Sequence, residues 1–270
     1  MLKQARGSSG EWLSKVPQVT LAFWVIKILA TTVGETGGDA LSMQFNLGYA
    51  ISSLIFLLIF GVTLGLQVGS KKYHPFFYWA VVVATTLVGT TMSDFLDRTA
   101  GHHFDAEKGA NVPGFGYVYS SAILFCGVLT VLLVWWKTSG KLEFENIVTR
   151  RDEVFYWLTI LVSNTLGTAL GDFMADNMKL GFQRGALVFA GLLVVVALAH
   201  FFTKIPKSVL FWAAYILTRP LGATLGDTLT KAHEKGGFDL TRTTVSFVNG
   251  ALMIGGIWWA ERHRQRAALA

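Results

Sequence analysis

Residues 23–39 read FWVIKILATTVGETGGD, and the same skeleton returns as YWAVVVATTLVGTTMSD over 78–94, YWLTILVSNTLGTALGD over 156–172 and FWAAYILTRPLGATLGD over 211–227. With Trp24, Trp79, Trp157 and Trp212 as offset zero, Gly34, Gly89, Gly167 and Gly222 stand at offset ten and Asp39, Asp94, Asp172 and Asp227 at offset fifteen. Offset fourteen holds Gly38, Ser93, Gly171 and Gly226. A recurrence at fixed spacing means that these residues occupy equivalent places in the fold. The Trp-to-Trp steps are 55, 78 and 55 residues, so the two halves are related by a shift of 133 with a longer connection in the middle.

The chain around these motifs is too apolar for a water-soluble globule. Of its 270 residues 52% are hydrophobic and 15% charged, against about a quarter charged in soluble domains. A spanning helix needs about 20 apolar residues, at about 1.5 Å rise each, to cross a core about 30 Å thick. Stretches free of Asp, Glu, Lys and Arg run over 40–70, 73–93, 109–136, 154–171, 185–203 and 243–260. Two further spans are interrupted, 18–42 by Lys27 and Glu35 and 208–230 by Arg219 beside Pro220. The expected fold is an all-α polytopic membrane protein in one transmembrane domain, residues 1–270, with repeats at approximately 18–70, 73–137, 151–204 and 206–260. Each repeat reads as a helical hairpin, so all four motif helices cross in the same direction, and parallel repeats favour a pseudo-symmetric axis along the membrane normal. A ring of four motif helices inside four plainer ones and a two-plus-two packing both fit the spacing.

The net charge of +6 does not point to nucleic acid, because the basic residues lie between hydrophobic runs rather than in one solvated patch. Lys and Arg on the side of the termini number 14 against 7 on the other, which places both termini in the cytoplasm. The first span follows basic residues as a secretory signal would, but its pattern recurs downstream, so it reads as retained. Cys126 is alone, which excludes an intrachain disulfide and a paired-thiol metal cage.

On the motifs from Phe23-Trp24 to Gly38-Asp39, Tyr78-Trp79 to Ser93-Asp94, Tyr156-Trp157 to Gly171-Asp172 and Phe211-Trp212 to Gly226-Asp227, the chain resembles a family of bacterial integral membrane proteins built from four tandem two-helix repeats with a characteristic Trp. The resemblance covers essentially the whole chain and departs at Ser93. It implies the architecture and a bacterial inner-membrane location, but no reaction, substrate or site residue.

Function is therefore read from the residues. At 100° per residue, offsets 3, 7, 11, 15 and 18 share one helix face. That face carries Lys27; Thr31, Thr86, Asn164 and Arg219; Glu35, Thr90, Thr168 and Ala223; the four aspartates; and Asp97. Polar groups facing hydrocarbon cost several kcal/mol, about 2 to 7 each, so the stripes should converge on one another or on water. Each Asp lies about 22 Å from its Trp at about 1.5 Å per residue, near a helix C-terminus, where the helix dipole disfavours an anion. A compensating cation is expected, from Arg219, Lys27, protons or a bound metal ion. Glycines four apart read as helix-packing positions. The four Trp read as interfacial anchors, with Trp135, Trp136, Trp258 and Trp259 as further belt residues, and an aromatic constriction is the other reading. His102 and His103, near Asp105 and Glu107, have metal-ligand chemistry that a solvated loop explains equally well.

The sequence contains no H-E-x-x-H, G-x-S-x-G or Walker-type loop, and neither an enzyme nor a cofactor is expected. The leading expectation is a transporter of small cations, divalent or proton-coupled. Asp39, Asp94, Asp172, Asp227 and Glu35 would bind cation or proton, the four aspartates being the metal candidates. Thr31, Thr86, Thr90, Asn164 and Thr168 would line the path, and Lys27 and Arg219 would act as a charge switch. Carboxylate and hydroxyl oxygens suit hard cations. A passive channel with an Asp ring and a non-transport scaffold or sensor are the alternatives. The expected partners are the lipid bilayer and a small cation or proton.

Overall fold

A computed structural model describes residues 15–269 except 71–72, 106–107, 143, 145–146 and 148. Eight long helices follow one another: α1 Leu21–Asp39, α2 Tyr49–Gly69, α3 Pro75–Arg98, α4 Gly116–Ser139, α5 Arg150–Asp172, α6 Gly181–Phe202, α7 Lys207–Thr230 and α8 Arg242–Leu269. Sequence marks several of their starts. The Thr20 hydroxyl accepts from the Phe23 N–H and that of Thr149 from the Asp152 N–H, and Pro75 occupies the first turn of α3. One departure from the all-α expectation is a small antiparallel pair, β1 His102–Asp105 and β2 Ala110–Pro113, between α3 and α4.

Helices α2 to α7 are long and apolar enough to cross a membrane, and the chain is a multi-pass membrane protein. Helix α7 qualifies although it contains Arg219 and runs unbroken through Pro220, whereas α1 and α8 are long but less apolar. The division between inner and outer helices follows burial. Helices α2, α4 and α6 present Leu54, Leu58, Ile123, Leu133, Leu187 and Val195 to the outside, while α3, α5 and α7 are mostly buried.

The four motif helices form a closed ring in which α1 packs on α3, α3 on α5, α5 on α7 and α7 on α1. This resolves the arrangement in favour of four helices inside four. The outer helices show a packing that the hairpin reading does not anticipate: α2 lies mainly on α3, α4 on α5, α6 on α7, and α8 closes the circle on α1. Each outer helix therefore serves the motif helix of the following repeat. The turns help to explain this, because α1 and α5 run directly into π-helical turns, Ala40–Gln44 and Phe173–Asn177, that redirect the chain.

Glycine permits the ring. Gly34 lies against Thr86, Gly89 against Asn164, Gly167 against Arg219 and Gly222 against Thr31. In each case offset ten of one repeat receives offset seven of the next, with no room for a methyl group. One turn later Gly38 meets Thr90 and Gly226 meets Glu35 in the same way. Such small-residue contacts let backbones approach where lipid offers no hydrophobic driving force. At Ser93 the hydroxyl instead donates to Asp97 Oδ2 at 3.0 Å.

Gly222→Ala, which would push Cβ into Thr31, is expected to destabilise the protein by about 3 kcal/mol through overpacking against side chain and backbone. Gly61→Ala on α2 meets nothing within 4 Å and should be neutral. Thermal unfolding of the two variants in detergent checks the contrast.

Candidate functional site

The close approach at the glycines brings side chains of one inner helix onto backbone carbonyls of the last. Thr86 Oγ1 donates to Ala30 O at 3.2 Å, Thr90 Oγ1 to Gly34 O at 3.0 Å and Thr31 Oγ1 to Thr218 O at 3.2 Å. Asn164 Nδ2 donates to Thr85 Oγ1 at 2.9 Å. Thr31, Thr86, Thr90, Asn164 and Thr168, the residues expected to line a path, are all fully buried in this conformation. The stripes converge, as their polarity requires, but on each other rather than on water.

Arg219 occupies the centre and has no exposed surface. Its Nε donates to Asn164 O at 3.2 Å and its Nη1 to Thr31 O at 3.0 Å. Nη2 lies within 3.1 Å of Glu35 Oε2 and within 2.6 Å of Thr168 Oγ1, with Thr90 Oγ1 also in contact. One guanidinium thus ties α7 to α1, α3 and α5, a use that suits its planar fork of donors. Lys27 does not join the Glu35 pair. Its Nζ reaches Asn164 Oδ1 at 3.4 Å and lies 4.3 Å from the Tyr215 ring centre.

The aspartates gather at one end of the ring and are nearly dry, each at most 3% exposed. They are joined in pairs by cations. Arg98 Nη2 stands 3.3 Å from Asp94 Oδ1 and 3.0 Å from Asp172 Oδ2. Lys231 Nζ stands 3.1 Å from Asp227 Oδ1 and 3.3 Å from Asp39 Oδ2, with Arg242 Nε at 3.4 Å from the same Asp39 oxygen. Tyr49 and Tyr117 hydroxyls accept from Arg98, each at 3.0 Å. In sequence Arg98, Lys231 and Arg242 read as loop charges. A signal for the first two was present, since both stand at offset nineteen and differ by the 133-residue shift of the halves.

That shift makes the two bridged seams comparable. Between α3 and α5 stand Asp94, Asp172 and Arg98, with Thr168 at offset eleven. Between α7 and α1 stand Asp227, Asp39 and Lys231, with Glu35 at offset eleven. Carboxylate oxygens of Glu35, Asp39 and Asp227 lie within 4.8 Å of one another. Among the described residues this is the one group of three acidic, His or Cys side chains close enough to hold a single ion. The metal candidates therefore separate: Asp39 and Asp227 belong to this group, whereas Asp94 and Asp172 close around Arg98.

At the opposite end the interfacial reading of the Trp residues is corrected. Trp79, Trp157 and Trp212 are buried and Trp24 is partly so. The residue preceding each Trp packs on the Trp of the next repeat: Phe23 on Trp79 at 5.5 Å, Tyr78 on Trp157 at 5.4 Å, Tyr156 on Trp212 at 5.7 Å and Phe211 on Trp24 at 5.7 Å between ring centres. These four contacts form a closed aromatic collar, with Tyr78 and Tyr156 hydroxyls bonded at 2.6 Å. Trp135 is also buried and donates to Asp152 Oδ1 at 2.9 Å, while Trp136, Trp258 and Trp259 remain exposed. His102 and His103 are consecutive strand residues, which point to opposite faces, and His103 Nδ1 is engaged with Gly114 O at 2.8 Å. Glu107 lies outside the described residues.

A family model described as Repeat of Unknown Function (DUF347) matches residues 22–73, 77–141, 155–205 and 210–264. Comparison with curated proteins returns no match, and neither does comparison with solved structures.

Lys231→Met should destabilise the protein by about 3–5 kcal/mol, because it removes the Lys231 charge from buried Asp227 and leaves Asp39 with Arg242 alone. Adding Asp227→Asn to that variant should recover part of the loss, and a double-mutant cycle of unfolding temperatures measures the coupling.

Proposed function

The chain belongs to the DUF347 repeat family, and from that premise, which carries an architecture but no activity, we propose that it is a proton-coupled transporter of small hard cations. The binding site is the α7–α1 seam, where Glu35, Asp39 and Asp227 supply the ligands and Lys231 and Arg219 are resident counter-charges that a substrate cation displaces. Carboxylate oxygens without a thiolate or imidazole suit magnesium, calcium or manganese. The conformation described above is an occluded one, with the aromatic collar closing one end and the bridged aspartates the other. The membrane is the bacterial inner membrane, with both termini on the cytoplasmic side, in keeping with the distribution of Lys and Arg.

The observation that carries this reading is the inequality of the two seams. The α3–α5 seam joins its helices with two acids and one arginine. The α7–α1 seam solves the same packing problem with a third buried carboxylate, although a threonine serves at the equivalent place. Buried ionisable groups inside a membrane are expensive and mark ion or proton pathways, and Glu35 with Arg219 adds a buried ion pair where Thr168 and Thr86 stand in the equivalent places. A scaffold is the second reading. Its support is that the inner hydroxyls and the aspartates are engaged between helices.

Reconstituted proteoliposomes separate the two. Wild type should take up manganese(II) in exchange for protons, followed by a metal-sensitive dye inside and a pH electrode outside. Glu35→Gln removes one charged ligand, worth about 1.5–3 kcal/mol, and should lower uptake at limiting manganese by about tenfold or more while the protein stays monodisperse. Asp172→Asn should reduce uptake less. Absence of flux of manganese, magnesium and calcium in either direction overturns transport, and conduction indifferent to the proton gradient turns the reading to a passive channel.

A further inference from the structure

The end of the ring closed by the aromatic collar carries a second layer made by chain outside the spans. The Lys15 N–H reaches Ile147 O at 3.5 Å, and Gln67 Nε2 donates to Lys15 O at 3.1 Å. Lys15 Nζ donates to Val68 O and pairs with Glu153 Oε2, both at 3.0 Å. These contacts stretch the segment that leads into α1 across to the end of α2 and the start of α5. Beneath it Val16 is buried in the same apolar cluster as Phe23, Tyr78, Trp157 and Phe211. Ile147, from the connection between α4 and α5, enters that cluster too, and Phe144 of the same connection stacks on Phe211 of α7 at 4.6 Å. Two residues of the longer central connection, Phe144 and Ile147, thus pack on the collar.

We propose that Lys15–Thr20 is a strap that gates the collar end of the ring, and that the Lys15–Glu153 ion pair is its latch. Glu153 is buried, and its second oxygen, Oε1, has no hydrogen-bond partner among the described residues. Among the described residues the cation that pairs with it, Lys15, is on the strap itself. When the pair opens and the Lys15 bonds to Ile147 O, Val68 O and Gln67 Nε2 follow, the anchor beside Val16 is released and the apolar seal over Phe23 and Tyr78 is lifted from one side. The strap is a mechanical element of the transport cycle proposed above and rests on that reading for its purpose, but not for its existence.

Its opening can be followed without transport. Val16→Cys in a Cys126→Ser background places a single thiol under the strap, and a membrane-impermeant methanethiosulfonate reports its accessibility in proteoliposomes. Glu153→Gln should speed labelling by about tenfold, since losing one partner of a buried pair favours the open form. The charge swap Lys15→Glu with Glu153→Lys should restore protection and serves as the control for a merely loosened fold. Equal labelling rates in Glu153→Gln and its parent, or a swap that labels as fast as Glu153→Gln, overturn the latch. Labelling that responds in a protein with no cation flux leaves the strap standing and sinks transport. Unchanged labelling in a protein that transports does the reverse.

Discussion

The contact on which the molecule depends is that between a glycine of one motif helix and the polar side chain three offsets lower on the next. It occurs four times around the ring, at Gly34, Gly89, Gly167 and Gly222. Removing Cβ there brings the helices close enough for a hydroxyl or guanidinium to bond a neighbouring carbonyl, a bond that a wider spacing would leave unmade. Close approach and polarity are thus parts of one device. In lipid, where apolar side chains gain little by leaving one apolar medium for another, packing and interhelical hydrogen bonds must supply the association energy.

Fourfold in backbone, the ring is twofold in chemistry. Arg98 and Lys231 occupy the same place in alternate repeats and each bridges its own Asp to the next one around the ring. The π-helical turns fall after the other two motif helices. Glu35 and Arg219 then break even the twofold relation, because Thr168 and Thr86 stand in their places in the other half. At the α3–α5 seam the same protein holds its helices together with a simpler set of charges. The seam that departs from that solution carries the concentration of buried charge.

Much of this was legible from residue spacing. The repeat, the polar face of each motif helix and the packing use of glycine all follow from periodicity, because a helix converts separation along the chain into direction around its axis. The errors have a common cause. Trp residues near a helix end read as belt anchors until their neighbours are known, and each proves to fill the space beside the aromatic residue of another repeat. Hydroxyls on a polar stripe read as lining a path, and spacing gave no sign that each has a carbonyl or charged partner on another helix. Arg98 and Lys231 lie just beyond the motif and passed as loop charges, although the 133-residue relation between them marked them as equivalent.

What the amino-acid order determined alone is the set of eight long helices, the common direction of the four motif helices and the face that each of these turns inward, since these depend only on local hydropathy and on the 3.6-residue turn. Tertiary structure decided which helix stands beside which. That choice put α2 on α3 rather than on α1, closed α7 onto α1, and made one acid trio out of Glu35, Asp39 and Asp227, residues up to 192 positions apart. Proximity between distant segments arises from the simultaneous fit of all the helices around one axis, and no single repeat contains that information.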